Sequence, residues 1–501
     1  MVASFYVQNF GCRATQADGA AIERQFEERG LERASAVAEA EIVILNTCTV
    51  TSSADQDARA AIRRVHRENP QARIVVTGCY AQRSPAEIAA LPGVSQVIGN
   101  SHKHELAEIA TLRPLGTDPA FVPLSSLRME NSELRTAASA IFVSDIFAHT
   151  ELLAAPVFDA ANERTRPNLK VQDGCDNRCS FCVIPYVRGQ SRSLRLEQIL
   201  REVNTLVVAG YRELVISGIN LGRWGRDLET VVRSQVSGVR FQVRTSGNAA
   251  SKTGSGGRLA TDDRGLVLLL RAILDHTSLE KLRISSVEPM DWSDELIALV
   301  ASSPRIAKHA HVPMQSGSDA VLRRMHRKYR PWHYREKIEK IRAAMPSAAI
   351  GADVMVGFPG ESEAEFEETR RMIGDLPLTY LHVVTYSARP GTPAADMPRQ
   401  VPVHVARERN RILRDLAEEK KQAFMGSFVG EIVEAITLAG GKETTIAEVS
   451  EYPFTEALTD NYLKLRLPGQ HEPNRWIRGR IDRVEKGALV SRAGQSHLRG
   501  L

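Results

Sequence analysis

Cys175, Cys179 and Cys182 stand in the stretch GCDNRCSFC, a C-x3-C-x2-C run. The chain's other three cysteines, Cys12, Cys48 and Cys79, are scattered singly through its N-terminal part. Three thiolates held close together can ligate a four-iron cluster and leave one iron without a protein ligand, an open position where chemistry can occur. A zinc site would want a fourth cysteine or a histidine nearby, and none accompanies the tight run. Buried structural thiols are the plain alternative, and they rarely need such compact spacing.

Residues 1–110 must position the scattered set. SFYVQNF, EIVILNT and ARIVVTG are short runs of strand character, followed by the helical stretches DGAAIERQFEERG, ADQDARAAIRRVHREN and SPAEIAAL. The alternation predicts a parallel sheet with helices on its faces. Cys12, Cys48 and Cys79 each fall just past the carboxyl end of a strand, the edge where open α/β sheets bind ligands. They are therefore expected to converge on a second cluster. Residues 111–165 have no clean period and read as a connecting region.

From 166 to 397, LKVQDG, ELVISGIN, KLRISSVEP, KHAHVPMQSG, IGADVMVGFPGE and YLHVVTYSARPGT alternate with helical runs. About six β/α units predict a partial or complete parallel barrel with its chemistry at the strand ends. Residues 229–264, around SGNAASKTGSGG, interrupt the pattern as a Gly/Ser/Thr-rich insertion, expected to be a neutral surface loop. Residues 398–424 read as a charged helical connector. Residues 425–501 carry the alternating runs GEIVEAITL, TTIAEVSE, NYLKLRL and IRGRIDRVEKGALVS, the pattern of a small antiparallel β-barrel. The expected fold class is thus α/β: a parallel-sheet cluster domain, a central β/α barrel and a C-terminal antiparallel barrel.

Composition bounds the rest. At 501 residues, with 43% apolar and 25% charged residues, the chain has material for two to four ordinary globular domains. No long uninterrupted apolar stretch suggests a membrane span, and MVASFYVQNFGC lacks the features of a signal peptide. A reducing cytoplasm, where thiols serve metals, is the expected compartment. From Lys464 to Leu501 there are nine Lys/Arg against three Asp/Glu. A basic barrel face with Tyr462 and Trp476 nearby suits contact with a nucleic-acid backbone; a solvated tail is the alternative.

GCDNRCSFCVIPYVRGQSRS resembles the radical S-adenosylmethionine signature of the methylthiotransferase family. NFGCRATQADG, LNTCTVTSSADQDARAAIRR and VVTGCYAQR are similar to that family's N-terminal cluster domain, and HVPMQSGSD, VMVGFPGE and YSARPGTPAA are further family-like stretches. The C-terminal barrel resembles the tRNA-binding TRAM module. Nearly the whole chain is covered apart from 229–264. The TCTVT…AD..AR..IRR wording is most similar to the branch that acts on N6-threonylcarbamoyladenosine in tRNA. Sister branches act on isopentenyladenosine in tRNA or on an aspartate of a ribosomal protein.

The resemblance implies two [4Fe–4S] clusters, one on Cys175, Cys179 and Cys182 and one on Cys12, Cys48 and Cys79. It also implies S-adenosylmethionine, a tRNA substrate, an electron donor such as flavodoxin or ferredoxin, and a monomer. Methylthiolation would fall on C2 of the modified adenosine, in an RNA loop whose bases can be splayed out. Ser217, Gly218, Ser286, Glu288 and Gln315 lie at strand ends where the cofactor's methionine and ribose could be held; turn or capping chemistry is the alternative at each. The GFPGE turn could approach the adenine. Arg188 is a candidate for the threonyl carboxylate, with a structural or phosphate contact as the alternative. His311, among apolar neighbours, reads as a satisfied core histidine. Two readings of other classes stay open: a non-catalytic iron–sulfur RNA-binding protein and a zinc module.

Overall fold

The computed structural model describes residues 3–111, 140–148, 166–228, 265–439 and 454–498. The insertion 229–264, most of the connecting region and the run TTIAEVSE lie outside the described residues. Two units divide the chain: Met1–Ala155 with Val183–Gln190, and Pro156–Cys182 with Ser191–Leu501.

The first unit is built on six strands: β1 (Ser4–Asn9), β2 (Glu32–Arg33), β3 (Ile42–Thr47), β4 (Arg73–Gly78), β5 (Val94–Gly99) and β6 (Ala140–Phe142). They pair in parallel in the order β2-β1-β3-β4-β5-β6. Every residue of β3 is buried, as a central parallel strand covered on both faces requires. Val43 and Leu45 meet Ile62 and Val65 of helix Ser52–Glu68 on one face, and Ile42 and Ile44 meet Ile22 and Phe26 of helix Arg13–Glu28 on the other. Part of the stretch expected to connect domains instead extends this sheet: Ala140–Phe142 pairs with Gln96–Ile98.

The segment Val183–Gln190 belongs to this unit, and Val183 and Val187 pack on Cys79. Arg188 within it is buried, and its guanidinium donates to Asp18 at 2.9 Å. Lys103 Nζ donates to the same carboxylate oxygen of Asp18 at 3.0 Å. Burying an acid is costly unless it is paired, and here two cations pair it.

The second unit carries β7 (Asn168–Asp173), β8 (Arg192–Ser193), β9 (Glu213–Gly218), β10 (Lys281–Ile284), β11 (His309–His311), β12 (Ala349–Val356) and β13 (Tyr380–Thr385). One sheet runs β10-β9-β7-β8 and another β11-β12-β13. The parallel bridge Leu282↔Ile306 links them, so β7, β9, β10, β11, β12 and β13 form the six parallel strands of an open barrel. Helices such as Leu196–Val208, Gly265–His276 and Pro331–Ala344 connect them.

Five further strands, β14 (Ile432–Thr437), β15 (Phe454–Thr459), β16 (Lys464–Pro468), β17 (Trp476–Glu485) and β18 (Ala488–Leu498), close into a barrel around Ala435, Leu465, Leu467, Ile477 and Leu489. Helix Val403–Gly426 precedes it. Among the described residues no helix is long and apolar enough to cross a membrane.

Tyr462 and Trp476 do not sit on an open basic face. Tyr462 lies under the Arg283 guanidinium, 4.5 Å from ring centroid to carbon, and Trp476 is buried beneath the Lys281 ammonium. Both rings therefore seat the barrel on β10. Arg283 is fully buried, pairs with the equally buried Glu213 of β9, and donates to Thr459 O at 2.7 Å and Asp460 O at 3.0 Å. A cation–π contact and a desolvated ion pair replace the water that an exposed aromatic would keep.

Removing the acid should strand the arginine. Glu213→Ala is expected to cost about 3–5 kcal/mol in denaturant unfolding of the second unit. Glu408→Ala, on the exposed Arg411 pair of helix Val403–Gly426, should leave the unfolding midpoint essentially where it was. Equal losses would remove the special role of the buried pair.

Candidate iron–sulfur and cofactor sites

The tight cysteine run leaves β7 at its carboxyl end and is pinned at several points. Gln172, the penultimate residue of β7, reaches Asp173 O, Gly174 O and Ser191 Oγ, each at 2.9 Å. Its carbonyl oxygen accepts from Asn220 N at 2.7 Å. Asn220 Nδ2 in turn donates to Cys175 Sγ at 3.6 Å, and Asn177 N donates to the same sulfur at 3.4 Å. Farther along, Ser180 Oγ donates to Arg324 O, Ser180 N to Met325 O, and Ala394 N to Ser180 O. Phe181 meets Phe358 edge-on at 6.4 Å.

Those last contacts explain two family-like stretches. The GFPGE turn is fixed from within: Glu361 Oε2 accepts from Gly357 N at 2.7 Å and from Arg409 of helix Val403–Gly426 at 2.8 Å. A Cβ on Gly357, whose φ is +75°, would stand 2.6 Å from Ala406 Cβ. The turn buries Phe358 behind the cysteine loop, which makes it scaffolding for the site.

Arg327 Nη1 donates to Cys179 Sγ at 3.2 Å, and the same guanidinium pairs with Glu288. Burial works against its charge, but Tyr329, Glu288 and Cys179 around it hold Arg327 well above the ordinary arginine value. Burial pushes the Cys175 thiol up, opposed by the Asn177 N–H and the Asn220 amide. Donors of this kind stabilise a sulfur that carries negative charge, as a metal-bound thiolate does. A shallow, open cleft lies beside Cys179, lined by Asn177, Arg223, Glu288, Met290, His326, Arg327, Lys328 and Tyr329.

The other expected cofactor residues fall as follows. Ser217 is buried and its hydroxyl has no hydrogen-bond partner. Gly218 has a packing reason to be small, since Gln172 Oε1 lies 2.8 Å from where a Cβ would stand. Glu288 lines the cleft. The Ser286 hydroxyl is engaged by His311 Nδ1 at 2.6 Å. Gln315 takes a left-handed φ of +61°, its backbone bonded to Asp353 O and Met355 N. His311 is not surrounded by apolar groups: it stands beside Ser286, Asp353 and His382. Arg188 is not an open cation either, because Asp18 already pairs it.

In the first unit the three scattered cysteines follow β1, β3 and β4, which are adjacent in the sheet. Gly11, at φ +97°, brings the Cys12 loop so close that a Cβ would sit 2.5 Å from Cys48 Cβ. Cys48 and Cys79 are buried and Cys12 is exposed. Burial, with Cys79 beside it, pushes the Cys48 thiol up to about 12. Asn100 Nδ2 donates to Cys79 Sγ at 3.6 Å.

The spacing of donors separates cluster from single ion. One zinc ion would draw its sulfurs to within about 3.8 Å of each other. Among the described residues, the one group of three or more His, Cys, Asp or Glu with all ligand atoms within 4.8 Å is His311, Asp353 and His382. Among the described residues, neither cysteine triplet forms such a group.

Residues 169–373 match the radical SAM superfamily and residues 4–99 the family described as uncharacterized protein family UPF0004. The chain is thus built as a radical S-adenosylmethionine enzyme with an added N-terminal domain. It is 34% identical to the threonylcarbamoyladenosine tRNA methylthiotransferase MtaB of Bacillus subtilis, over 94% of this chain and 92% of that one. The namesake from Aquifex aeolicus is 33% identical over 94% and 98%. A tRNA-2-methylthio-N(6)-dimethylallyladenosine synthase of Thermobifida fusca is 30% identical over 87% and 78%. The chain belongs to the radical S-adenosylmethionine methylthiotransferase family. In fold it is similar to the radical S-adenosylmethionine methyltransferase TsrM of Kitasatospora setae, with TM-score 0.53 and 14% identity over 79% and 74% of the two chains.

Anaerobic reconstitution should load about eight irons per chain, one cubane per triplet. Replacing Cys175, Cys179 and Cys182 together by Ala should halve that load. A full load in the triple variant would refute the assignment of that triplet.

Proposed function

We propose that this enzyme methylthiolates C2 of N6-threonylcarbamoyladenosine in tRNA. The observation that carries the reading is the pair of three-cysteine sets, each at the carboxyl edge of parallel strands. Its substrate comes from the relatives: those from Bacillus subtilis and Aquifex aeolicus, matched along more than nine-tenths of both chains, are named for this nucleoside. The relative from Thermobifida fusca, matched over 87% of this chain, supports dimethylallyladenosine as the second reading.

Cys175, Cys179 and Cys182 would hold the cluster that binds S-adenosylmethionine, and Cys12, Cys48 and Cys79 the cluster from which sulfur is delivered. Bound there, the reduced cluster and S-adenosylmethionine supply a 5′-deoxyadenosyl radical able to take hydrogen from an unactivated C–H bond. The chain's own residues prepare the place. Asn177, Asn220 and Arg327 donate to the sulfurs. Glu288, already paired with Arg327, and Lys328 line the cleft in which a methionine moiety would lie. The buried Ser217 hydroxyl offers an unused polar handle. We place the barrel on the tRNA backbone as a TRAM-like module through the exposed Arg478 and Arg480 of β17. The reductant is a small donor of the flavodoxin or ferredoxin type, and the enzyme works as a cytoplasmic monomer.

Three substrates offered side by side test the reading: tRNA with threonylcarbamoyladenosine, tRNA with isopentenyladenosine, and ribosomal protein. Methylthio product is expected from the first alone. Product from either of the others instead would overturn the substrate while leaving the chemistry standing. With the true substrate, Cys48→Ala should still release 5′-deoxyadenosine without thiolated product, and Cys179→Ala should lose both.

Arg478→Ala with Arg480→Ala should weaken tRNA binding and flatten the salt slope by roughly one unit per lost phosphate contact. An unchanged slope would return this face to solvent.

A further inference from the structure

The open barrel places a second donor set on three adjacent strands. His311 ends β11, Asp353 lies in β12 and His382 in β13, where Asp353 and His382 are direct partners in the register. His311 Nε2 stands 3.4 Å from Asp353 Oδ1, and His382 Nδ1 stands 3.1 Å from the same oxygen. A tetrahedral ion with metal–nitrogen bonds of about 2.0–2.1 Å separates its ligand atoms by about 3.3 Å. Both edges of the cluster therefore already have the length that one ion would impose.

The buried histidine is held as a ligand is held. Its Nδ1 is engaged by Ser286 Oγ at 2.6 Å, which leaves Nε2 for the cluster. A hydrogen bond on the second ring nitrogen is the usual support of a metal-bound imidazole. Tyr380 stacks on the ring at 5.9 Å and lies where a Cβ on Gly351 would be, 1.9 Å from its ring carbon. Only a glycine permits that stacking. His311 Nε2 is buried and has no hydrogen-bond partner, although it points at a carboxylate oxygen. That nitrogen and the carboxylate oxygen, 3.4 Å apart, are spaced as two ligand atoms on one cation are.

We propose that His311, Asp353 and His382 form a binding site for one divalent transition cation, separate from both cysteine triplets. Two imidazole nitrogens and one carboxylate oxygen are a donor set for zinc, cobalt, manganese or ferrous iron, and a poor one for magnesium or calcium. Three protein ligands leave at least one position for water or another oxygen ligand, as in catalytic metal sites. The cluster is accessible: the His382 side chain is 63% exposed and Asp353 35%, against 8% for His311.

The test uses the full chain with its cysteines loaded with iron, so that thiols do not compete. Zinc is added, excess is removed by gel filtration, and iron and zinc are counted by mass spectrometry. One zinc per chain is expected beyond the iron. His382→Ala and Asp353→Asn should lose that zinc while keeping their iron and their circular dichroism. Ser286→Ala should weaken zinc binding roughly 10- to 100-fold in a calorimetric titration, as loss of an outer-shell partner does. His382 is exposed, so its variant is the arm least exposed to misfolding. No retained zinc in the parent protein, or the same zinc in His382→Ala and Asp353→Asn as in the parent, would overturn the site.

Discussion

Parallel strands all deliver their carboxyl ends to one edge, and both units use that edge as the place for chemistry. In the first, β1, β3 and β4 lie side by side, so Cys12, Cys48 and Cys79 meet although long helices separate them in sequence. In the second, β7 hands the chain to the tight cysteine run while β9 and β10 end in the Ser217, Asn220 and Glu288 region. A parallel pair cannot be joined by a tight turn, so each connection must include a helix or its equivalent. The helices that cover the sheet are thus a consequence of the same geometry that gathers the ligands.

Thiolates at such an edge need compensation, and the two units supply it differently. Cys175 and Cys179 receive N–H groups from Asn177, Asn220 and Arg327, and Arg327 is itself balanced by Glu288. Cys48 is buried beside other thiols, and burial pushes its thiol up against the opposing Val50 N–H and the Arg188 charge. A cluster on either triplet must displace thiol protons, so metal loading there depends on pH.

Much of this was legible in the sequence because spacing and period are local. The C-x3-C-x2-C run, the Val/Ile strands before Cys12, Cys48 and Cys79, and the alternating C-terminal runs each announce themselves within a few residues. What was hidden depends on contacts between distant segments. Gln172, Asn220 and Arg327 are ordinary polar residues until the fold aims them at sulfur. His311 looked apolar because its sequence neighbours are, whereas its spatial neighbours Asp353 and His382 come from other strands. The short strand Ala140–Phe142 has no period long enough to detect; it is a strand because β5 offers it an unpaired edge. GFPGE showed its turn but not its partner, since Arg409 and Ala406 follow about fifty residues later.

The C-terminal barrel shows how one misplaced group changes a mechanism. Tyr462 and Trp476 read from sequence as part of a basic face suited to a nucleic-acid backbone, yet they cover Arg283 and Lys281. With the aromatics spent on that seam, the outward face of β17 offers Arg478 and Arg480, which are exposed and flanked by the buried Ile477, Gly479 and Ile481. Guanidinium groups without aromatic partners can neutralise phosphates but cannot grip unpaired bases through stacking. A barrel of this kind contributes affinity and orientation that fall with salt and do not depend on base sequence. If the C-terminal barrel meets tRNA in this way, selection of the nucleotide falls to the barrel of parallel strands that carries the tight cysteine run.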